Sequence, residues 1–177
     1  ASFISSTGNR LLYGRYQEMQ WQLLTVLDAQ NPIARNSIAT GPNGVPHISF
    51  YEEAVGLRHA YLAGGQWVVT TVLPGIHRAN AIAVDRQGHP HIAHSRDFRV
   101  GGGFWRGDIQ YSRWTGKAWQ HQTIYTEGEE VYQPISLVLD SEDHPHILYK
   151  KRFFGGYFRV HLQEWTGTEW QLQELEN

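Results

Sequence analysis

Ten histidines and no cysteine set the chemistry open to this chain of 177 residues. His47, His91 and His146 each follow a proline and precede an isoleucine, while His89/His91 and His144/His146 stand two residues apart. On a strand this spacing points both rings to one face. Two imidazoles there could begin a metal site, but neither pair has a third His or a carboxylate that completes one. Equivalent histidines of successive sheets would lie ~10 Å or more apart, too far to share an ion. The plainer reading is that the repeated His bonds the backbone of a turn. No metal and no cofactor is expected, and the lack of cysteine removes disulfides, thiolate ligands and thiol nucleophiles.

Two long loops are expected, over 96–108 and 150–159, and both mix cations with aromatics around glycine. The first carries Arg96, Arg99, Phe104, Trp105 and Arg106, and the second Arg152, Phe153 and Tyr157. Guanidinium forks bind carboxylate or sulfate in bidentate fashion, and aromatic faces can stack on sugar rings. Together with Arg78 these residues are the candidate ligand-binding set, and an anionic glycan is the ligand they suit. A protein interface draws on the same residue types. A lyase could use His77 or Tyr132 as base, with Arg78, Arg96 or Arg99 neutralising a uronate; a glycosidase could use Asp97 with Glu129. Nothing in the spacing brings those groups together, so non-catalytic binding is favoured and no catalytic residue is assigned.

The elements that position these side chains repeat along the chain. Asp85-Arg86-Gln87-Gly88-His89-Pro90-His91-Ile92 returns as Asp140 to Ile147 and more loosely as Gly41 to Ile48, each time after a short apolar run. Leu11, Leu57, Ile109 and Val160 each stand ten positions before a tryptophan: Trp21, Trp67, Trp119 and Trp170. That constancy marks a hairpin of fixed loop length. Trp-to-Trp spacings of 46, 52 and 51 residues are the length of a four-stranded propeller blade. An all-β propeller is therefore predicted as a single domain or partial propeller over 1–177, with blades at roughly 1–28, 37–73, 81–125 and 135–175. The first blade lacks its innermost strand, which leaves an open edge. The blades could close on themselves, belong to a longer chain, or join a second copy in a homo-oligomer that completes a larger ring.

Composition narrows the partners. A net charge of −2 gives no case for nucleic acid, and no apolar run reaches the ~18 residues of a membrane span. Carbohydrate or another protein chain remains as partner. A secreted or cell-surface bacterial setting is compatible with a β-rich domain that has 13% aromatic residues and no disulfide.

The repeated unit resembles the sialidase-like and BNR-like β-propeller repeats of bacteria, best at Asp85 to Ile92, Ile109 to Tyr111 and Gly116 to Trp119. The resemblance implies the architecture and a relation to lectins, lyases and sialidases, without choosing among them. The Asp box of true sialidases is incomplete: Ser112, Gly116 and Trp119 keep its register, but Trp114 replaces the Asp. In the last unit Gln163 and Trp165 replace the Ser and the Asp.

Overall fold

The computed structural model describes residues 1–5, 7–99, 105–126, 131–153 and 155–175, the side chains of 105 and 131–134 excepted. The described elements are all strands. A first sheet holds β1 (Ser2–Ile4), β2 (Arg10–Gln17) and β3 (Gln20–Asp28). The second holds β4 (Ile33–Thr40), β5 (Pro46–Glu52), β6 (Gly56–Ala63) and β7 (Gln66–Leu73). The third has β8 (Asn80–Val84), β9 (Pro90–Arg99), β10 (Trp105–Trp114) and β11 (Trp119–Tyr125). The fourth has β12 (Val131–Leu139), β13 (Pro145–Arg152), β14 (Phe158–Trp165) and β15 (Trp170–Glu174). Each sheet is an antiparallel meander in chain order, the first three-stranded and the others four-stranded. No helix of the described residues is long and apolar enough to cross a membrane.

The repeated turn forms because one carboxylate satisfies two backbone donors. Asp85 Oδ1 accepts from the N–H groups of Gln87 at 2.9 Å and His89 at 2.7 Å, and Asp140 Oδ1 accepts from Glu142 at 2.8 Å and His144 at 2.9 Å. Gly88 sits at φ +86°, and Asp143 takes the same left-handed place at +64°. Asp is among the few side chains that enter this region readily. At the second turn the Asp is missing, and Gly41 N–H donates to the Val45 carbonyl at 2.9 Å. The constant hairpin sets Tyr16 opposite Trp21, Leu62 opposite Trp67, Trp114 opposite Trp119 and Trp165 opposite Trp170.

The four sheets stack in chain order, with a separate core in each junction. Leu11 and Val26 meet Ile48, Phe50 and Ala60 between the first and second sheets. Leu57 and Val72 meet Ile82 and Ile92 between the second and third. Ala93, Ile109 and Tyr111 meet Ile135, Leu137, Ile147 and Tyr149 between the third and fourth. Side chains of this size contribute ~2 kcal/mol each when buried. One aromatic contact recurs at every junction, the tryptophan of one sheet standing edge-on to the next-to-last strand of the sheet before it. The pairs are Tyr13–Trp67 at 5.3 Å, His59–Trp119 at 5.6 Å and Tyr111–Trp170 at 5.3 Å between ring centroids. The opening strands are also tied to one another, since Ser37 Oγ accepts from Ile82 N–H at 3.3 Å and Asn80 donates to the Arg35 carbonyl at 3.3 Å.

Two sequence expectations need correction. Arg96 to Arg99 and Trp105 to Asp108 are not loop, since β9 and β10 run on as a two-stranded ribbon that pairs Arg99 with Trp105 and Arg96 with Asp108, and in the second stretch Lys151 and Arg152 likewise pair with Arg159 and Phe158. Continued pairing satisfies backbone groups that a loop would leave to water. The second sheet opens at Ile33, four residues ahead of the apolar run that marked it.

Candidate functional site

Two of the junctions carry a cleft at the end where the repeated turns lie. Between the third and fourth sheets this cleft measures about 860 Å³. The fourth sheet supplies a wall of two indoles, Trp165 and Trp170, with centroids 5.6 Å apart and planes inclined at 62°. Trp114 of the third sheet lies across the opening, and Arg113, Gln120 and Gln122 bring polar groups to the mouth. Arg113 Nε donates to Gln120 Oε1 at 3.1 Å, and Trp170 Nε1 donates across the junction to Gln122 Oε1 at 3.1 Å. The cleft thus offers flat apolar faces beside exposed donors and acceptors, the composition of a small-ligand site.

The floor is rigid. His91 Nδ1 bonds the Tyr111 hydroxyl, and His91 Nε2 stands 3.4 Å from Asp85 Oδ2. Burial pulls His91 below its ordinary pKa, against the opposing effect of Asp85, and burial pushes Tyr111 up. The neutral imidazole therefore donates from Nε2 to Asp85 and accepts a hydrogen bond from the Tyr111 hydroxyl at Nδ1. His146 makes the matching bridge to Glu164, at 2.9 Å, and to Asp140, at 3.5 Å. His47 bonds His59 at 3.0 Å. The repeated His thus bonds side chains of the third strand and, in the third sheet, the turn carboxylate, which His146 approaches in the fourth without a hydrogen bond; the backbone partner expected from sequence is replaced. Among the described residues no group of three or more His, Asp or Glu is placed to hold a metal ion.

The same cleft recurs between the second and third sheets, smaller at about 380 Å³. Trp114 and Trp119 stand there in the places of Trp165 and Trp170, their centroids 5.7 Å apart. His59, Tyr61 and Thr70 take the places of Tyr111, Arg113 and Gln122. At the first junction Leu62 replaces the outer indole.

The residues singled out from sequence lie at the opposite ends of the strands, and they divide into groups. Arg78, Arg96 and Arg99 line one cavity of about 700 Å³ together with His77 and Asp97. Arg106 lies opposite Phe98 on the ribbon. Arg152 closes β13 opposite Phe158. Phe153 and Tyr157 stack at 6.1 Å, and the Arg159 guanidinium lies 5.0 Å from the Phe153 ring. Arg159 was missed from sequence although it stands in the same aromatic run. Phe104, Glu129 and the side chains of Trp105 and Tyr132 lie outside the described residues. Nearby, burial raises the Asp108 carboxyl against the opposing charges of Lys151 and Arg96.

His77, weighed as a lyase base, is fully buried, with Nδ1 2.9 Å from the Ser95 carbonyl and Nε2 3.1 Å from that of Pro74. It ends a chain that runs through His94 Nδ1 at 3.0 Å to Ser112 Oγ at 2.8 Å and His121 at 2.8 Å. Burial lowers the pKa of all three histidines. The chain anchors the third sheet. The signal for the cleft was a tryptophan five residues before a tryptophan, at 114/119 and 165/170.

No protein-family model and no curated protein matches the chain. Solved structures do share its fold. A fucose lectin from Kordia zhangzhouensis in complex with methyl-fucoside superposes with a TM-score of 0.51 at 14% identity, over 81% of this chain and 100% of that one. A bifunctional GH43-CE protein of Bacteroides eggerthii gives 0.58 at 11% identity, over 97% of this chain and 24% of its own length. The intramolecular trans-sialidase of Ruminococcus gnavus, in complex with oseltamivir carboxylate, gives 0.50 at 15% identity, over 95% of this chain and 41% of that one. At these identities the likeness is one of fold, and this chain spans less than half of the second and third proteins.

Proposed function

We propose that this chain is a non-catalytic, lectin-like carbohydrate-binding module, built from consecutive blades of a β-propeller, with its sugar site in the cleft between the third and fourth sheets. The observation that carries the reading is the indole wall, Trp165 and Trp170, set against Trp114 with Arg113, Gln120 and Gln122 at the mouth. A pyranose ring has an apolar C–H face that stacks on an indole and a rim of hydroxyls that needs donors and acceptors. The turn carboxylates are engaged in structure: Asp85 holds two backbone N–H groups and a histidine, and Asp143 pairs with Arg86 at 3.0 Å. This favours binding over hydrolysis. A secreted or cell-surface setting suits such a module.

The test is a tryptophan-fluorescence titration with methyl glycosides, methyl-fucoside among them. Saturable quenching is expected for at least one sugar, with Trp165→Ala and Arg113→Ala each weakening it tenfold or more. Unchanged affinity in both variants overturns the assignment of the site. A second reading rests on the cavity that collects Arg78, Arg96 and Arg99, where the carboxylate of an acidic glycan would sit between guanidinium groups. Binding of uronates that Arg96→Gln abolishes and Trp165→Ala spares would favour that reading instead.

A further inference from the structure

The three junctions share one construction, and the two ends of the stack carry its two unmatched halves. In the first three sheets, the face that looks along the stack presents Leu11, Leu57 and Ile109 in the next-to-last strand, and all three are buried. It also presents Val26 and Val72 in the last strand, 7% and 6% exposed. In the fourth sheet the equivalent residue, Leu175, directly after β15, is 45% exposed. Val138, at the place of Ala39 and Ala83, is 61% exposed. Leu148 and Leu162 complete an apolar face that nothing among the described residues covers.

The first sheet carries the reciprocal face. Trp67, Trp119 and Trp170 each pack on the preceding sheet, but Trp21 is 63% exposed and its neighbour Leu23 62%. Phe3 joins them over Gly14, where an added Cβ would lie 3.0 Å from the Phe3 ring, 3.3 Å from Leu23 and 3.5 Å from Trp21. Tyr16 stands edge-on to Trp21 at 5.6 Å and 60°, the arrangement of the two indole pairs in the clefts.

We propose that these two faces bind each other between copies of the chain: the Phe3–Trp21–Leu23 face of one copy docks on the Val138–Leu148–Leu162–Leu175 face of a second. The occupant is a second copy because each face is one half of a junction this sequence forms three times within itself. Exposed apolar patches of this extent on a β-sheet mark such contacts. The interface is heterologous, so two copies close as a ring if the rotation allows and a longer assembly grows if it does not. Docking would bring Tyr16 and Trp21 of one copy to Leu162 and Glu164 of the other, the places held by Tyr111 and Arg113 in the large cleft. An additional cleft would then be completed across copies, a consequence that rests on the proposed carbohydrate reading, whereas the docking itself does not.

Native mass spectrometry and light scattering of the 177-residue chain provide the test. Association is expected at ~10 µM, a typical strength for a modest interface. Leu23→Asp and Val138→Asp change exposed side chains on opposite faces, and each alone is expected to give a monomer with an unchanged urea midpoint. An equimolar mixture of the two keeps one intact face on each partner and is expected to restore a one-to-one complex. A parent chain that stays monomeric at ~100 µM overturns the proposal, as does a dimer that persists in either variant alone.

Discussion

Four tryptophans at one repeat position allow the junction to be measured. Trp67, Trp119 and Trp170 are half-buried against the preceding sheet, while Trp21 is 63% exposed. Truncating a fully buried Trp costs about 3–5 kcal/mol, so half-buried rings should lose ~2–3 kcal/mol when changed to Ala. For a domain of this length that corresponds to a fall of ~4–12 °C in Tm. Trp21→Ala should cost less than ~1 kcal/mol in the monomer. Phenylalanine separates packing from hydrogen bonding. The Trp170 indole donates to Gln122 at 3.1 Å, whereas the buried indole N–H of Trp67 has no acceptor among the described residues. Removing an unsatisfied buried donor recovers part of its desolvation cost, so Trp67→Phe should be tolerated better than Trp170→Phe. Urea unfolding at ~1 µM chain, dilute enough to hold the monomer, is the assay. A Trp21→Ala loss equal to that of Trp119→Ala would refute the equivalence of the junctions.

Stability should also depend on pH through the buried histidines. Burial, aided by the charge of His47, holds His59 at about 3, and His94 lies well below its ordinary value for the same chief reason. The unfolded chain binds protons at these sites below about pH 6.5 and the folded chain does not. Their contribution is therefore fully present above about pH 6.5 and falls by ~1.4 kcal/mol per pH unit for each such histidine as acid is added. The urea midpoint should be level from about pH 7 to 8 and drop steeply between about 6 and 4; a level midpoint down to pH 4.5 contradicts this. At the tight hairpin between β5 and β6, Gly56 has φ +129°, and an added Cβ would stand 2.3 Å from the Leu73 carbonyl oxygen. Gly56→Ala should cost ~3 kcal/mol or more, and Gly64→Ala, at φ +57° with open space around it, ~1 kcal/mol. Calorimetric melting of both variants checks the difference.

What was legible in the sequence was local. Asp85 and Asp140 announce their turns because the carboxylate bonds N–H groups two and four residues on, and the ten-residue interval before each Trp is set by one hairpin. What escaped was the identity of the covering face. Trp114 and Trp165 read as departures from an Asp box because their role arises only where they meet the sheet before their own. His91 read as a backbone partner because the Tyr111 hydroxyl, twenty residues away, meets it across two strands. Arg96 to Arg99 read as loop because glycines follow, although alternating side chains let the ribbon continue.

Indole N–H resonances give the most direct test of the cleft. Seven tryptophans supply seven such signals in a ¹⁵N-labelled sample, assigned by single Trp→Phe variants and followed while the tightest-binding methyl glycoside is titrated. Saturable shifts of Trp114, Trp165 and Trp170, with Trp67 unmoved, are the expected result. Shifts confined to Trp105, or binding that moves none of the three cleft indoles, would place the ligand elsewhere and contradict the reading.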